Sequence, residues 1–162
     1  MQGVSELFQV QCHVYKHIYG YIHGMSLKCA IQLVILDLIH NPGQPITLPE
    51  LVSKLHIDPQ KTSGMDRIIR LLVHSGFFTK TKVLENQEAY TLTPSFRLLL
   101  KDRITSMLPF ALATLDPVMQ SPLHSLGDWF RGSELTPFEK VHGLALWEYC
   151  RQNREMMNNI FK

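Results

Sequence analysis

Two histidines lie four residues apart in HVYKH, His13 and His17, a spacing that on a helix could bring two imidazoles to one metal ion. A zinc-peptidase helix would follow the first of them with glutamate, but Val14 stands there and no third ligand is suggested nearby. The pair therefore reads as ordinary polar-face histidines, and no metal site is expected. A nucleotide cofactor needs glycines where backbone N–H groups approach phosphate or ribose. None of the nine glycines forms G-x-G, and no strand–helix–strand unit precedes them. No serine occupies a G-x-S-x-G elbow, and no cysteine has a histidine in a recognisable catalytic setting. These residues predict no catalytic, cofactor-binding or metal site in the chain by itself.

The elements that could position other chemistry follow from the apolar spacing. Leu7, Val10, Val14, Ile18, Tyr21 and Ile22 recur in steps of three and four, predicting an amphipathic helix from Val4 to His23. Gly20 and Gly24 sit four apart near its end, where they either admit a second backbone or, at Gly24, cap the helix. Ser26 can cap a second helix running to His40, with only Lys28, Gln32 and Asp37 polar, so that it should be buried almost all round.

Thr47-Leu48-Pro49-Glu50 has the form of a capping box and starts a short helix ending near His56. Asp58-Pro59 restarts the chain, and Met65, Ile68, Ile69, Leu72 and Val73 carry an apolar face up to Gly76, completing a helix-turn-helix. Phe77–Val83 and Glu88–Thr93 read as strands joined by Glu85-Asn86-Gln87. The expected fold class is mainly α, a winged helix-turn-helix with a small β-hairpin wing and additional helices. Those further helices run from Phe96 to Lys101, Ser106 to Leu115, Pro117 to Phe130 and from Thr136 onward.

Composition narrows the partners. The chain has 162 residues, enough for one domain with a substantial core, and 45% of them are hydrophobic against 19% charged. That is a surplus of apolar surface pointing to a partner. A net charge of +2 is too mild to imply a polyanion. Lys61, Arg67, Arg70, Lys80 and Lys82 could meet phosphates, so a winged-helix nucleic-acid-binding module is the alternative reading. Asp58, Asp66, Glu85 and Glu88 among them make a solvated face an equal explanation. Cys12, Cys29 and Cys150 are too few and too scattered for a disulfide framework, and Asp37 interrupts the longest apolar run. A reducing, cytoplasmic location without secretory signal or membrane span is expected.

Four stretches, MSLKCAIQLVILDLIHNPGQPITLPELVSKL, RIIRLLVHSGFF, YTLTPSFRLLL and TPFEKVHGLALWEYCRQNREMMNNIF, together resemble the N-terminal region of plant small-molecule O-methyltransferases. The resemblance implies an S-adenosylmethionine-dependent family acting on phenolics such as flavonoids, stilbenes and alkaloids. It implies a winged-helix dimerisation domain over 1–103, a helical connector and start of the substrate pocket over 104–162, and a Rossmann-like catalytic domain that this chain stops short of. Its glycine-rich cofactor loop and histidine base have no counterpart here, so a truncated member without catalysis of its own is expected, with S-adenosylmethionine bound only in full-length relatives.

Carried over by position, the resemblance places Leu115, Asp116 and Met119 of LATLDPVM, Trp147, and Met157 and Phe161 of the last helix on the substrate pocket. Met25 and Ser26 would close the partner's pocket. It further implies a homodimer, or a heterodimer with full-length relatives. A phenolic substrate would be held only with the catalytic domain, and neither nucleic acid nor membrane is an expected partner.

Overall fold

The computed structural model describes residues 2–101 and 105–153. It is mainly helical with one small antiparallel sheet, and it divides into two compact units, Met1–Arg97 and Leu98–Lys162.

In the first unit the long N-terminal apolar pattern becomes two helices, α1 (Gln2–Ile18) and α2 (Gly20–Gln32), separated at Tyr19. The expectation that Ser26 caps a helix starting there is corrected: Ser26 lies inside α2, buried, and Gly24 is interior rather than a cap. The expected single helix to His40 is also broken. Val34 adopts a left-handed conformation, φ 58° and ψ 27°, and α3 begins after it (Ile35–His40). A β-branched residue there is sterically strained, which is why no local preference foretells the break. Burial is uneven as well: α2 buries Ser26 and Ala30, whereas α3 buries Ile35, Leu36 and Ile39.

β1 (Ile46–Thr47) leads into α4 (Leu48–Lys54), whose capping box forms as the sequence suggests. The Glu50 backbone N–H donates to Thr47 Oγ1 at 3.4 Å, and the Thr47 N–H donates to Glu50 Oε2 at 2.8 Å. These backbone and side-chain bonds from Thr47 hold the Glu50 carboxyl below the usual carboxylate range. Asp58 accepts from the Gln60 N–H and opens a 3₁₀ turn, Pro59–Lys61, that runs into α5 (Thr62–His74). α5 ends in a Schellman motif, with Gly76 at φ 77°, its N–H on Val73 O, and the Phe77 N–H on Leu72 O.

β2 (Phe78–Lys82) and β3 (Glu88–Leu92) form the hairpin, and the strand order is β1-β3-β2. Tyr90 stands opposite both Ile46 and Lys80, tying the loop before α4 to the hairpin. α6 (Pro94–Arg97) delivers Phe96 edge-on to Phe78 at 4.8 Å. Ile35, Leu51, Ile69, Leu72, Phe78 and Phe96 are the largest fully buried side chains, each contributing roughly 1.5–3 kcal/mol by burial.

The second unit is helical: α7 (Leu108–Thr114), α8 (Pro117–His124), α9 (Leu126–Trp129), α10 (Pro137–His142) and α11 (Leu146–Gln152). The expected helix from Pro117 to Phe130 is thus split at Ser125. Thr136 and Glu139 form a second capping box at α10. Phe138 is buried, with the rings of His142 and Tyr149 at 4.3 and 5.4 Å.

Candidate functional site

The most exposed apolar feature of the first unit is α1. Every residue from Ser5 to Tyr21 is exposed among the described residues. The stripe read from the sequence is there, with Leu7 at 59% exposure and Val10, Val14 and Ile18 alongside it. A second stripe escaped the sequence reading. Phe8 (65% exposed), Tyr15 and Tyr19 are seven and four residues apart on another face, and the rings of Tyr15 and Tyr19 stack at 6.1 Å. The spacing 8, 15, 19 was the signal, and the steps of three and four through Leu7, Val10, Val14 and Ile18 do not pass through it.

Met25 and Ser26 both lie on α2. Met25 is at the surface, 37% exposed, while Ser26 is buried, so only the first presents its side chain to an incoming group. A groove of about 750 Å³ at the start of α5, lined in part by Leu33, Ile57, Met65 and Ile68 with Lys61 and Arg67, also escaped the sequence reading. Of the five candidate phosphate-binding cations, Arg70 lies 3.8 Å from Asp66 and Lys80 donates to Glu88 at 2.8 Å. The Lys80 bond and charge hold the Glu88 carboxyl down, and the same bond holds the Lys80 ammonium up. Two of the five are therefore already engaged by acids.

In the second unit Leu115, Asp116 and Met119 meet at the corner between α7 and α8, all partly buried. Asp116 is the N-cap of α8: its Oδ1 accepts from the Val118 N–H at 2.9 Å, so the carboxylate holds the corner together. Trp147 stands on α11 with 73% of its surface exposed. Met157 and Phe161 lie outside the described residues.

One arrangement in this unit looks like a nucleophile and its base. Ser121 Oγ is 3.3 Å from His142 Nε2, but the same nitrogen is 3.0 Å from Val118 O. A carbonyl only accepts, so Nε2 carries a proton and cannot take one from the serine. The cause lies in Pro122, inside α8, which has no N–H to give to the carbonyl four residues back. That carbonyl is Val118 O, and the His142 N–H and the Ser121 hydroxyl serve it instead. Nearby, Glu134 Oε1 accepts from Lys140 Nζ at 3.1 Å, while its buried Oε2 has no hydrogen-bond partner. Burial raises the Cys29 thiol, the opposite of an activated nucleophile. Among the described residues no three His, Cys, Asp or Glu side chains are grouped to hold a metal, and no helix is long and apolar enough to cross a membrane.

Exposed apolar and aromatic surface thus stands at both ends of the described chain, on α1 and at Trp147 of α11. The family model of the O-methyltransferase dimerisation domain matches residues 15–102. The trans-resveratrol di-O-methyltransferase of Vitis vinifera is 44% identical over 158 residues, which are 96% of this chain and 44% of that protein. The 8-hydroxyquercetin 8-O-methyltransferase of Mentha piperita is 48% identical, over 91% of this chain and 44% of its own length. The chain therefore spans somewhat under half the length of the relatives it matches. Among solved structures, the mitomycin 7-O-methyltransferase MmcR superimposes with a TM-score of 0.72 at 16% identity, covering 98% of this chain and 44% of that one, which speaks for the fold alone. With the dimerisation-domain model matched over more than half of its residues, the chain belongs to the O-methyltransferase family.

Proposed function

We propose that this chain is the pairing and pocket-wall portion of an S-adenosylmethionine-dependent O-methyltransferase that methylates phenolic hydroxyls of small specialised metabolites. The observation that carries the pairing half of the reading is α1, a helix whose two apolar stripes are both exposed among the described residues. Such a helix is stable when a second copy covers it, since helices of this length draw most of their stability from packing. The helix-turn-helix of α4 and α5 with the β2–β3 hairpin then serves as a winged-helix platform for that pairing rather than for nucleic acid. The domain expected over 1–103 is the pairing domain, and the segment 104–162 begins the substrate pocket.

In that pocket Leu115, Met119 and Trp147 supply apolar and aromatic surface suited to a planar phenolic, with Met157 and Phe161 continuing the wall. Asp116 acts by fixing the α7–α8 corner, its carboxylate being occupied by Val118 N–H. Met25 reaches the partner's pocket, and Ser26 packs behind it. The names of the plant relatives support the phenolic class, resveratrol and hydroxyquercetin both being phenols. On this reading S-adenosylmethionine and the base that takes the phenolic proton belong to the part of the family's chains that this one does not span. The chain works in the cytoplasm, by itself without catalysis.

Sedimentation velocity over a range of micromolar concentrations tests the pairing. A dimer is expected, and Leu7→Asp together with Val14→Asp should convert it to a monomer. A wild-type chain that stays monomeric at the highest concentration refutes the reading. Calorimetry with S-adenosylmethionine should give no saturable heat, and tight binding would overturn the assignment of cofactor binding to the rest of the family's chain.

A further inference from the structure

We propose that His13 and His17 form a two-ligand site for a divalent late first-row transition-metal ion, on the surface of α1. The two residues are four apart on a helix of 17 residues, so their side chains project from successive turns of one face. Their ring centroids are 4.7 Å apart, with the planes at 68°. That spacing falls within the range a shared ion allows. With metal–nitrogen bonds of about 2.0–2.1 Å, each centroid stands about 3.2 Å from the ion, and ligand angles of about 90–110° put the two centroids about 4.5–5.2 Å apart. The rings are therefore already at chelating separation before any ion arrives.

Both residues are exposed and lie beside the Leu7–Val10–Val14–Ile18 stripe rather than within it, so water can complete the coordination sphere. Imidazole pairs favour nickel, copper and zinc over magnesium or calcium. With neither a carboxylate in the intervening turn nor a third imidazole beside them, the site holds an ion and does not activate water for hydrolysis. Its physical effect is local. An ion bridging two successive turns resists unwinding of α1, which is exposed from Ser5 onward, and stabilises it by an amount that grows with the logarithm of ion concentration over the dissociation constant.

The test is a titration of the whole chain with Ni²⁺, followed by calorimetry and by far-ultraviolet circular dichroism. The expected result is one equivalent bound at micromolar affinity, with a gain in helical signal. His17→Gln and His13→Gln should each weaken binding by about tenfold or more, because one imidazole loses the chelate advantage. The double variant His13→Gln with Lys16→His keeps the number of histidines but makes the pair adjacent in sequence, about 100° apart around the helix, and should lose binding equally. All these positions are exposed, so the metal-free spectra should match the wild type. Absence of saturable binding below millimolar Ni²⁺, or binding that the single and double variants leave unchanged, overturns the proposal.

Discussion

Replacing Val34 separately by alanine and by glycine turns the break between α2 and α3 into a sign that can be measured. In a continuous right-handed helix, as the apolar run from Ser26 to His40 suggests, glycine is less stable than alanine by about 0.5–1 kcal/mol. At φ 58° the order reverses, because a residue with a Cβ carries a penalty of roughly 1–2 kcal/mol that glycine escapes. After subtracting glycine's larger entropy loss, Val34→Gly should be more stable than Val34→Ala by about 0.5–1 kcal/mol. Against the wild type the change is small. Val34 is 44% exposed, so the strain released is offset by lost packing and by chain entropy, and the comparison of the two variants carries the test. Thermal unfolding at one protein concentration resolves the difference, since 1 kcal/mol moves the midpoint by about 2–4 °C in a chain of this size. A Val34→Ala protein that melts above Val34→Gly would refute the left-handed break and restore the single helix.

Thr47→Ala removes the hydroxyl half of the capping box at α4 while the backbone N–H of residue 47 keeps Glu50, and should lower stability by about 1 kcal/mol in urea unfolding. The Glu50 carboxyl is held below its ordinary range when folded, so its contribution is present above the unfolded carboxyl's pKa and is lost as pH falls through the lower folded value. Glu50→Gln keeps an acceptor for the Thr47 N–H but cannot titrate, so its stability should fall less steeply than the wild type's as pH drops from about 5 to about 3. His142→Ala leaves the Val118 carbonyl to the Ser121 hydroxyl alone and should destabilise the second unit by about 0.5–1.5 kcal/mol. In the same protein, nitrogen-15 spectra of the His142 ring should show the proton on Nε2, and an Nδ1–H tautomer would contradict the hydrogen-bond assignment.

What the sequence makes legible is local. The Thr47-Leu48-Pro49-Glu50 box, the Asp58-Pro59 restart and the Gly76 stop depend on residues within one turn of each other, and the structure forms each of them. β1 was out of reach for the opposite reason. Two residues cannot announce a strand, and Ile46 and Thr47 are extended because Tyr90 and Ala89, more than forty positions later, pair with them. Val34 shows a third case, in which packing overrides preference. Leu36 and Ile39 are buried on α3 only because the chain turns at a residue that disfavours the turn.

The candidate site divides along the same line. Aliphatic spacing on α1 made one face legible, but Phe8, Tyr15 and Tyr19 add a second, and a helix with two apolar faces demands more cover than a single flat neighbour can give. The proposed partner must therefore embrace α1 rather than merely lie against it, so substitutions on the aromatic stripe should weaken pairing as those on the aliphatic one do. In the second unit the apparent serine–histidine pair teaches the converse. Residue types at bonding distance suggested chemistry, and a proline one position beyond the serine explains the contact as the repair of a helix. The direction of one proton, fixed by a carbonyl that can only accept, separates the catalytic reading from the structural one.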